Sequence, residues 1–237
     1  MQYKHIFAVG DVHGMYDKLV MLMEKIPFHP SEDLLIFLGD YIDRGPSSLA
    51  SLDYVMELTS KYPKNVIALL GNHEFMMLNY FKGQQNDPAC IENLLYIWLE
   101  NGGYTTAKEI QTLSDEELKK RIDWVRSLPL FYQIDNFYFC HAGIRPSVPL
   151  AKQKKKDLLW IRDSFFEQYN NQYGTIVIGH TVIQKRKYLF DDTVFDKSNS
   201  VVPQFTKNGI VFCDTGAYLD GGKLSCVDVL SKQFWQA

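Results

Sequence analysis

The sequence predicts an α/β fold built on a parallel sheet, and two observations carry that prediction. Three times in succession a short apolar run ends in a Gly-containing polar turn and passes into apolar residues at helical spacing, the order of a crossover unit. The length of 237 residues with 46% apolar side chains suffices for one sizeable core, so a single domain over residues 1–237 is expected.

The first unit is a strand from His5 to Val9, the turn Gly10-Asp11-Val12-His13-Gly14, and a helix whose Leu19, Leu22, Met23 and Ile26 share a face before Pro27 stops it. The second runs from Leu34 to Leu38 through Gly39-Asp40-Tyr41-Ile42-Asp43-Arg44-Gly45 into a helix opened by Pro46, with Leu49, Leu52 and Met56 on one face. The third is a strand from Asn65 to Leu70, the turn Gly71-Asn72-His73-Glu74, and a helix to about Phe81. From Ala89 to Leu128 the pattern is helical and reads as scaffold, with a capping box at Ser114 and Glu117 and a stop at Pro129. Phe131 to Ile134 and Phe137 to Cys140 flank Asp135-Asn136 as a two-residue hairpin. Leu158 to Phe166 reads as helix or turn and Thr175 to Ile178 as a strand; the remainder, with Ile210 to Cys213 and Leu224 to Leu230, reads as mostly β. The polar stretch Asp191 to Gln204 is the expected flexible loop.

Composition narrows the function. A net charge of −3 with 22% charged residues gives no broad cationic field, so stable nucleic-acid binding is not expected. The basic run Lys152 to Lys156 reads as a solvated face, with a substrate role as its alternative. Cys90, Cys140, Cys213 and Cys226 form no Cys-x-x-Cys pair, which excludes a zinc knuckle or disulfide staple, and Cys140 and Cys213 lie in apolar runs as buried thiols. The N-terminal apolar run is too short for a signal peptide or membrane span, so a reducing cytoplasm and no membrane association are expected.

Five strand ends deliver a polar cluster: Asp11 with His13, Asp40 with Asp43, Asn72 with His73, then His141, then His180. A covered strand reaches solvent at its C-terminal tip, which is where polar groups can meet a ligand. Taken alone, the central heptapeptide could be a turn whose Asp caps the next helix, with Arg44 a solvated charge. Yet four of the six histidines stand just past strand ends, which packing does not explain, and they should converge on one rim. Asp, Asn and His without thiolate suit borderline divalent metals, manganese first, with iron or zinc as alternatives. The six candidates Asp11, His13, Asp40, Asn72, His141 and His180 exceed the needs of one ion. They suit two ions about 3.5 to 4 Å apart, with Asp40 from the central strand as the bridge.

In order and spacing, Gly10-Asp11-Val12-His13-Gly14, the heptapeptide Gly39 to Gly45, Gly71-Asn72-His73-Glu74, His141-Ala142-Gly143 and Gly179-His180-Thr181 resemble the signatures of the metallophosphoesterase superfamily. Within it they look most like the PPP family of serine/threonine phosphoprotein phosphatases, in a compact bacterial or phage form. The resemblance implies a four-layer αββα sandwich with a dinuclear metal site at the strand C-terminal ends. It implies Asp11 and His13 on the first metal, Asn72, His141 and His180 on the second, and Asp40 between them. It also implies His73 as general acid with Asp43 as its carboxylate partner, and Arg44, Arg162 and Asn72 as groups that bind the substrate phosphate. The implied reaction is hydrolysis of a phosphoester in a phosphoprotein or small molecule by in-line attack of a metal-bridging hydroxide, with His73 protonating the departing alkoxide. Ala142 stands where eukaryotic members usually carry a glycine, and no counterpart of their inhibitor-sensitive loop is recognisable, which puts eukaryote-type regulation in doubt.

The alternative is a symmetrical diadenosine tetraphosphatase, which this chain resembles in Asp11-Val12-His13-Gly14 and His141-Ala142-Gly143-Ile144. Asp43, Glu74 and Thr181 stand where that enzyme's motifs differ and place the protein phosphatase first. A third reading is a catalytically inactive phosphoprotein-binding scaffold; such a protein would be expected to have lost a ligand or the acid, and none is missing. Tyr41 reads either as substrate rim or as packing.

Overall fold

The computed structural model describes residues 3–83, 88–185 and 201–237. Along β1 (Ile6–Val9) the strand period of two splits the side chains: Ile6 and Ala8 join one core cluster, Phe7 and Val9 another. The same split recurs in β2 (Leu34–Phe37), where Leu34 and Ile36 face one way and Leu35 and Phe37 the other. A strand apolar on both faces must be covered on both, and the molecule does this with four layers.

The first sheet pairs β1 with β2 and β2 with β3 (Val66–Ala68) in parallel, and adds β9 (Ser225–Asp228) and β10 (Phe234–Gln236) antiparallel on the other edge. The second has the order β4 (Phe131–Ile134), β5 (Phe137–Cys140), β6 (Thr175–Ile178), β8 (Ile210–Phe212), β7 (Gln204–Phe205), parallel in its centre and antiparallel at both edges. Ile6, Ala8 and Ile36 of one sheet meet Phe139, Val177 and Val211 of the other in the central core. On the first sheet's outer face pack α1 (Tyr16–Lys25), α2 (Ser48–Lys61), α3 (Asn72–Gly83) and α6 (Asp115–Ser127). The second sheet is covered by α7 (Lys155–Trp160) and α8 (Asp163–Gln168).

The four-layer αββα sandwich is as the resemblance implied, and the three parallel strands of the crossover units form one side of a mixed sheet, with β3 at its edge. The hairpin forms as expected, with Ile134 opposite Phe137 and Asp135 at φ 47°. Both later helical stretches are helical as expected, and each is broken within. The stretch after α3 divides into α4 (Pro88–Trp98), a wide π-type turn Leu99–Gly103, α5 (Tyr104–Ile110) and α6, because Gly102 at φ 102° lets the chain kink. Leu158 to Phe166 likewise breaks at Arg162, whose φ of −138° and ψ of −111° are non-helical. The expected loop Asp191 to Gln204 lies outside the described residues up to position 200, and Gln204 itself begins β7. Among the described residues no helix is long and apolar enough to cross a membrane.

Candidate active site

The turns after β1, β2, β3, β5 and β6 meet on one rim, stitched by backbone bonds. Val12 and His13 N–H both donate to the Asp40 carbonyl, at 3.0 and 2.8 Å, and Gly45 N–H donates to the His13 carbonyl at 3.0 Å. Gly71 passes so close that a Cβ there would stand 2.2 Å from the Asp40 nitrogen and from its Oδ1, so only glycine allows β3 to approach. Eight non-glycine residues among those described have positive φ, and five are predicted site residues: His13 (47°), Asp40 (55°), Asp43 (73°), Arg44 (70°) and His180 (59°). Each such residue costs on the order of 1–3 kcal/mol and persists only where its surroundings over-determine it, a pattern that gathers at functional sites.

The predicted ligand atoms come together. Asp40 Oδ2 lies 3.5 Å from His13 Nε2 and 3.4 Å from His141 Nε2, between two groups: His13 with His73, and His141 with His180. Asn72 Oδ1 is 2.8 Å from His141 Nε2 and 2.9 Å from His180 Nδ1, and those two nitrogens are 3.1 Å apart. Asp11 Oδ2 is 3.8 Å from His13 Nε2, and the Asp11 carboxylate is oriented by the His180 backbone N–H at 2.9 and 3.0 Å. His13 Nδ1 and His141 Nδ1 each face a backbone carbonyl, Ile42 at 3.0 Å and Leu38 at 2.8 Å. With Nδ1–H donated there, each ring turns its Nε2 lone pair toward the cluster, the outer support that metal-binding imidazoles use.

Electrostatics points the same way. Burial holds the imidazoles of His13 and His180 well below the usual histidine range, so both are neutral rings with a lone pair to offer. Burial pushes the Asp11 carboxyl up, helped by the carboxylates of Asp214 and Asp40. Burial would raise Asp40 too, but His141 and His73 outweigh it and hold that carboxyl well below its ordinary value. Imidazole lone pairs, an amide oxygen and carboxylates converge here with little to balance them, and His180 Nε2 and Asp214 Oδ2 are buried with no hydrogen-bond partner. That donor set fits divalent ions: oxygen and imidazole ligands, no thiolate, and Asp40 common to both groups.

Beside the candidate ligands, His73 Nδ1 is 2.6 Å from Asp43 Oδ2, and its Nε2 is 3.9 Å from Asp40 Oδ2. Arg44 reaches inward, with Nη1 2.7 Å from His13 Nε2 and Nη2 3.0 Å from His73 Nε2. Arg162 lines the same small cavity as Arg44 and His180. The supposed scaffold takes part: Trp98 Nε1 donates to Asp43 Oδ2 at 2.9 Å, Thr106 Oγ1 to Asp43 Oδ1 at 2.6 Å, and the Gly102 carbonyl accepts the Arg44 N–H at 2.9 Å. Glu109 on α5 accepts the first N–H groups of α2 at 2.8 and 2.9 Å, locking the excursion onto the central turn.

Sequence reasoning missed Trp98 and Thr106, which no local pattern marks. It also missed Asp214, whose signal was present: β8 ends in Cys213-Asp214-Thr215-Gly216, a sixth apolar run leading to a carboxylate. Burial pushes Asp214 up to about 6. Glu74 serves the backbone, accepting N–H groups from Asp40, Tyr41, Ile42 and Gly71 at 2.7 to 3.2 Å, while burial and Asp40 push it up to about 8. Tyr41 is packing: it is buried and its hydroxyl donates to the Leu69 carbonyl at 2.6 Å. Cys140, Cys213 and Cys226 are buried free thiols. A cavity of about 410 Å³ between Tyr80, Phe81, Leu95, Trp98, Tyr104 and Ile110 is lined by none of the candidate ligands.

The profile of calcineurin-like phosphoesterases matches residues 4–213. The chain belongs to the calcineurin-like phosphoesterase family. It is 33% identical over 223 residues to a symmetrical bis(5'-nucleosyl)-tetraphosphatase of Legionella pneumophila, covering 91% of this chain and 70% of that one. It is 30% identical over 194 residues to serine/threonine-protein phosphatase 1 of Salmonella typhimurium, covering 78% of this chain and 82% of that one. The crystal structure of a putative diadenosine tetraphosphatase shares the fold, with a TM-score of 0.64 and 18% identity over 98% of this chain and 92% of that one. The calcineurin-like phosphoesterase family thus supplies relatives of both expected kinds. The order in which the sequence reading ranked them is not supported, because the match to the tetraphosphatase extends over more of this chain.

Proposed function

We propose that this calcineurin-like phosphoesterase is a dinuclear metal-dependent hydrolase acting on a dinucleoside polyphosphate, in the manner of a symmetrical tetraphosphatase. The observation that carries the chemistry is Asp40 Oδ2 standing within 3.5 Å of both His13 Nε2 and His141 Nε2. What supports the substrate is the likeness to a symmetrical tetraphosphatase across 91% of the chain.

Asp11, His13 and Asp40 would hold one ion and Asp40, Asn72, His141 and His180 the other, with manganese first and iron or zinc as alternatives. Ions bound there would supply the activated water and the Lewis acid for displacement at phosphorus. Arg44 and Arg162 grip phosphoryl oxygens through guanidinium groups, which suit a planar, two-pronged contact. His73, held at Nδ1 by Asp43, presents Nε2 toward Asp40 and Arg44 and gives a proton to the departing oxygen. Three unpaired thiols among the described residues support a reducing cytoplasm as its home.

A serine/threonine protein phosphatase is the second reading, favoured by the 2.6 Å bond between His73 and Asp43. A serine alkoxide needs protonation more than the phosphate released from an anhydride does. Side-by-side kinetics of the manganese-loaded protein on diadenosine tetraphosphate and a phosphoserine peptide decide between them. We expect kcat/KM to favour the tetraphosphate by about tenfold or more, about 1.4 kcal/mol in transition-state binding. Preference for the peptide would install the second reading, and no turnover of either with both ions bound would favour an inactive scaffold.

A further inference from the structure

We propose that the cavity beside the candidate ligands holds a second phosphoryl group next to the one that is cleaved, with Lys185, Thr181 and Tyr218 as its binding residues. The inference rests on reading the site as a phosphoric ester or anhydride hydrolase, and it names the part of the substrate that reading leaves open.

The cavity measures about 180 Å³ and is lined by Arg44, Arg162, His180, Thr181, Lys185 and Tyr218, together with Val182. That is more space than one water-sized group needs, so a phosphoryl group beside the reacting one has room. Arg44 and Arg162 already account for one such group. Lys185 is a third cation on the same wall, and it is placed there by Tyr218: Nζ donates to the Tyr218 hydroxyl at 3.3 Å and lies 5.8 Å from the ring centroid. The same ring lies under the Arg44 guanidinium at 4.4 Å and meets His13 edge-on at 5.0 Å. One aromatic side chain thus fixes two cations and ties both to the first ligand group.

Thr181 is the independent observation. It directly follows His180, lines the cavity and is 2% exposed, yet its hydroxyl has no hydrogen-bond partner among the described residues. Buried hydroxyls are ordinarily satisfied, and a phosphate oxygen is an acceptor for its proton. An ammonium on a flexible stem suits a phosphoryl group whose position varies along a chain, whereas the planar guanidinium suits the fixed reacting one. A phosphorylated protein side chain carries a single phosphoryl group. A nucleoside polyphosphate presents two or more in sequence, which is the pattern of charge this wall matches.

The test uses AMP and ADP, which differ by one phosphoryl group, as competitive inhibitors of p-nitrophenyl phosphate turnover by the manganese-loaded full chain, with manganese in excess of nucleotide. ADP is expected to bind about tenfold more tightly than AMP, a ratio that falls to about threefold or less in Lys185→Gln and in Thr181→Val and is kept in Lys185→Arg. Equal inhibition by both nucleotides in the parent protein, or a ratio that survives both Lys185→Gln and Thr181→Val, would overturn the subsite. If Thr181→Val does not fold, Lys185→Gln alone decides, since Lys185 is exposed. If no phosphoryl compound is turned over, the hydrolase reading has failed; the AMP-to-ADP ratio is then measured by calorimetric titration, and the same outcomes apply to the subsite.

Discussion

The turns after β1, β2, β3, β5 and β6 carry every candidate ligand, whereas the excursion from α4 to α5 carries none and yet holds Asp43 and Arg44 in place. In the turns, position comes from backbone: left-handed residues, a glycine against Asp40, and N–H groups collected by Glu74. In the excursion, position comes from side-chain donors reaching in, Trp98 and Thr106 onto Asp43, with the Gly102 carbonyl on Arg44. Placement of the candidate ligands and of the candidate acid are therefore separate devices on one rim. Substitutions in the first should empty the metal centre, and substitutions in the second should spare it.

The largest effect is expected at Asp40, which both groups share. Asp40→Asn should lower kcat/KM by about a thousandfold or more, in line with the several kcal/mol that metal ions supply to such reactions, and should reduce bound metal measured by elemental analysis. Retained metal and activity would show that Asp40 is not the bridge.

Next comes His73→Asn. Its cost should be about 10²- to 10⁴-fold on an alkyl phosphate and much smaller on an aryl phosphate, whose leaving group needs no proton. Equal losses on both esters would remove the general-acid role, and a loss of bound metal would move His73 into the ligand set, where its 3.9 Å approach to Asp40 makes it a competitor.

The smallest of the three sharpens the comparison most. Trp98→Phe keeps the ring and deletes the N–H that reaches Asp43. A hydrogen bond to a charged group is worth about 1.5 kcal/mol at its lower end, so about a tenfold loss of kcat on an alkyl phosphate is expected, with metal content unchanged. A loss of metal in this variant would mean that the two devices are one.

Much of this was legible in the residues. The crossover order and the Gly-Asp-x-His, Gly-Asn-His and Gly-His clusters marked the parallel strands and the candidate ligands, because backbone pattern and donor chemistry are local properties, and the four layers came from the family resemblance those clusters carry. Asp214 was legible by the same rule and was passed over with the mostly β remainder. Trp98 and Thr106 were not: their partner Asp43 is 55 and 63 residues away in sequence, and nothing near an aromatic or a threonine in a helical stretch announces so distant a contact. The left-handed backbone at His13, Asp40, Asp43, Arg44 and His180 was equally hidden, since none of these is the glycine that usually marks such conformations. The ranking of the two expected substrates also turned on a residue whose contacts the sequence hides. Glu74, counted for the protein phosphatase, is buried and collects backbone N–H groups.

The most direct test is to strip the protein with a chelator, reload it with manganese and locate the ions by anomalous diffraction. Two ions about 3.5 to 4 Å apart on either side of the Asp40 carboxylate are expected, one against Asp11 and His13 and the other against Asn72, His141 and His180. A single ion, or ions bound away from Asp40, would contradict the dinuclear centre on which the proposed chemistry depends.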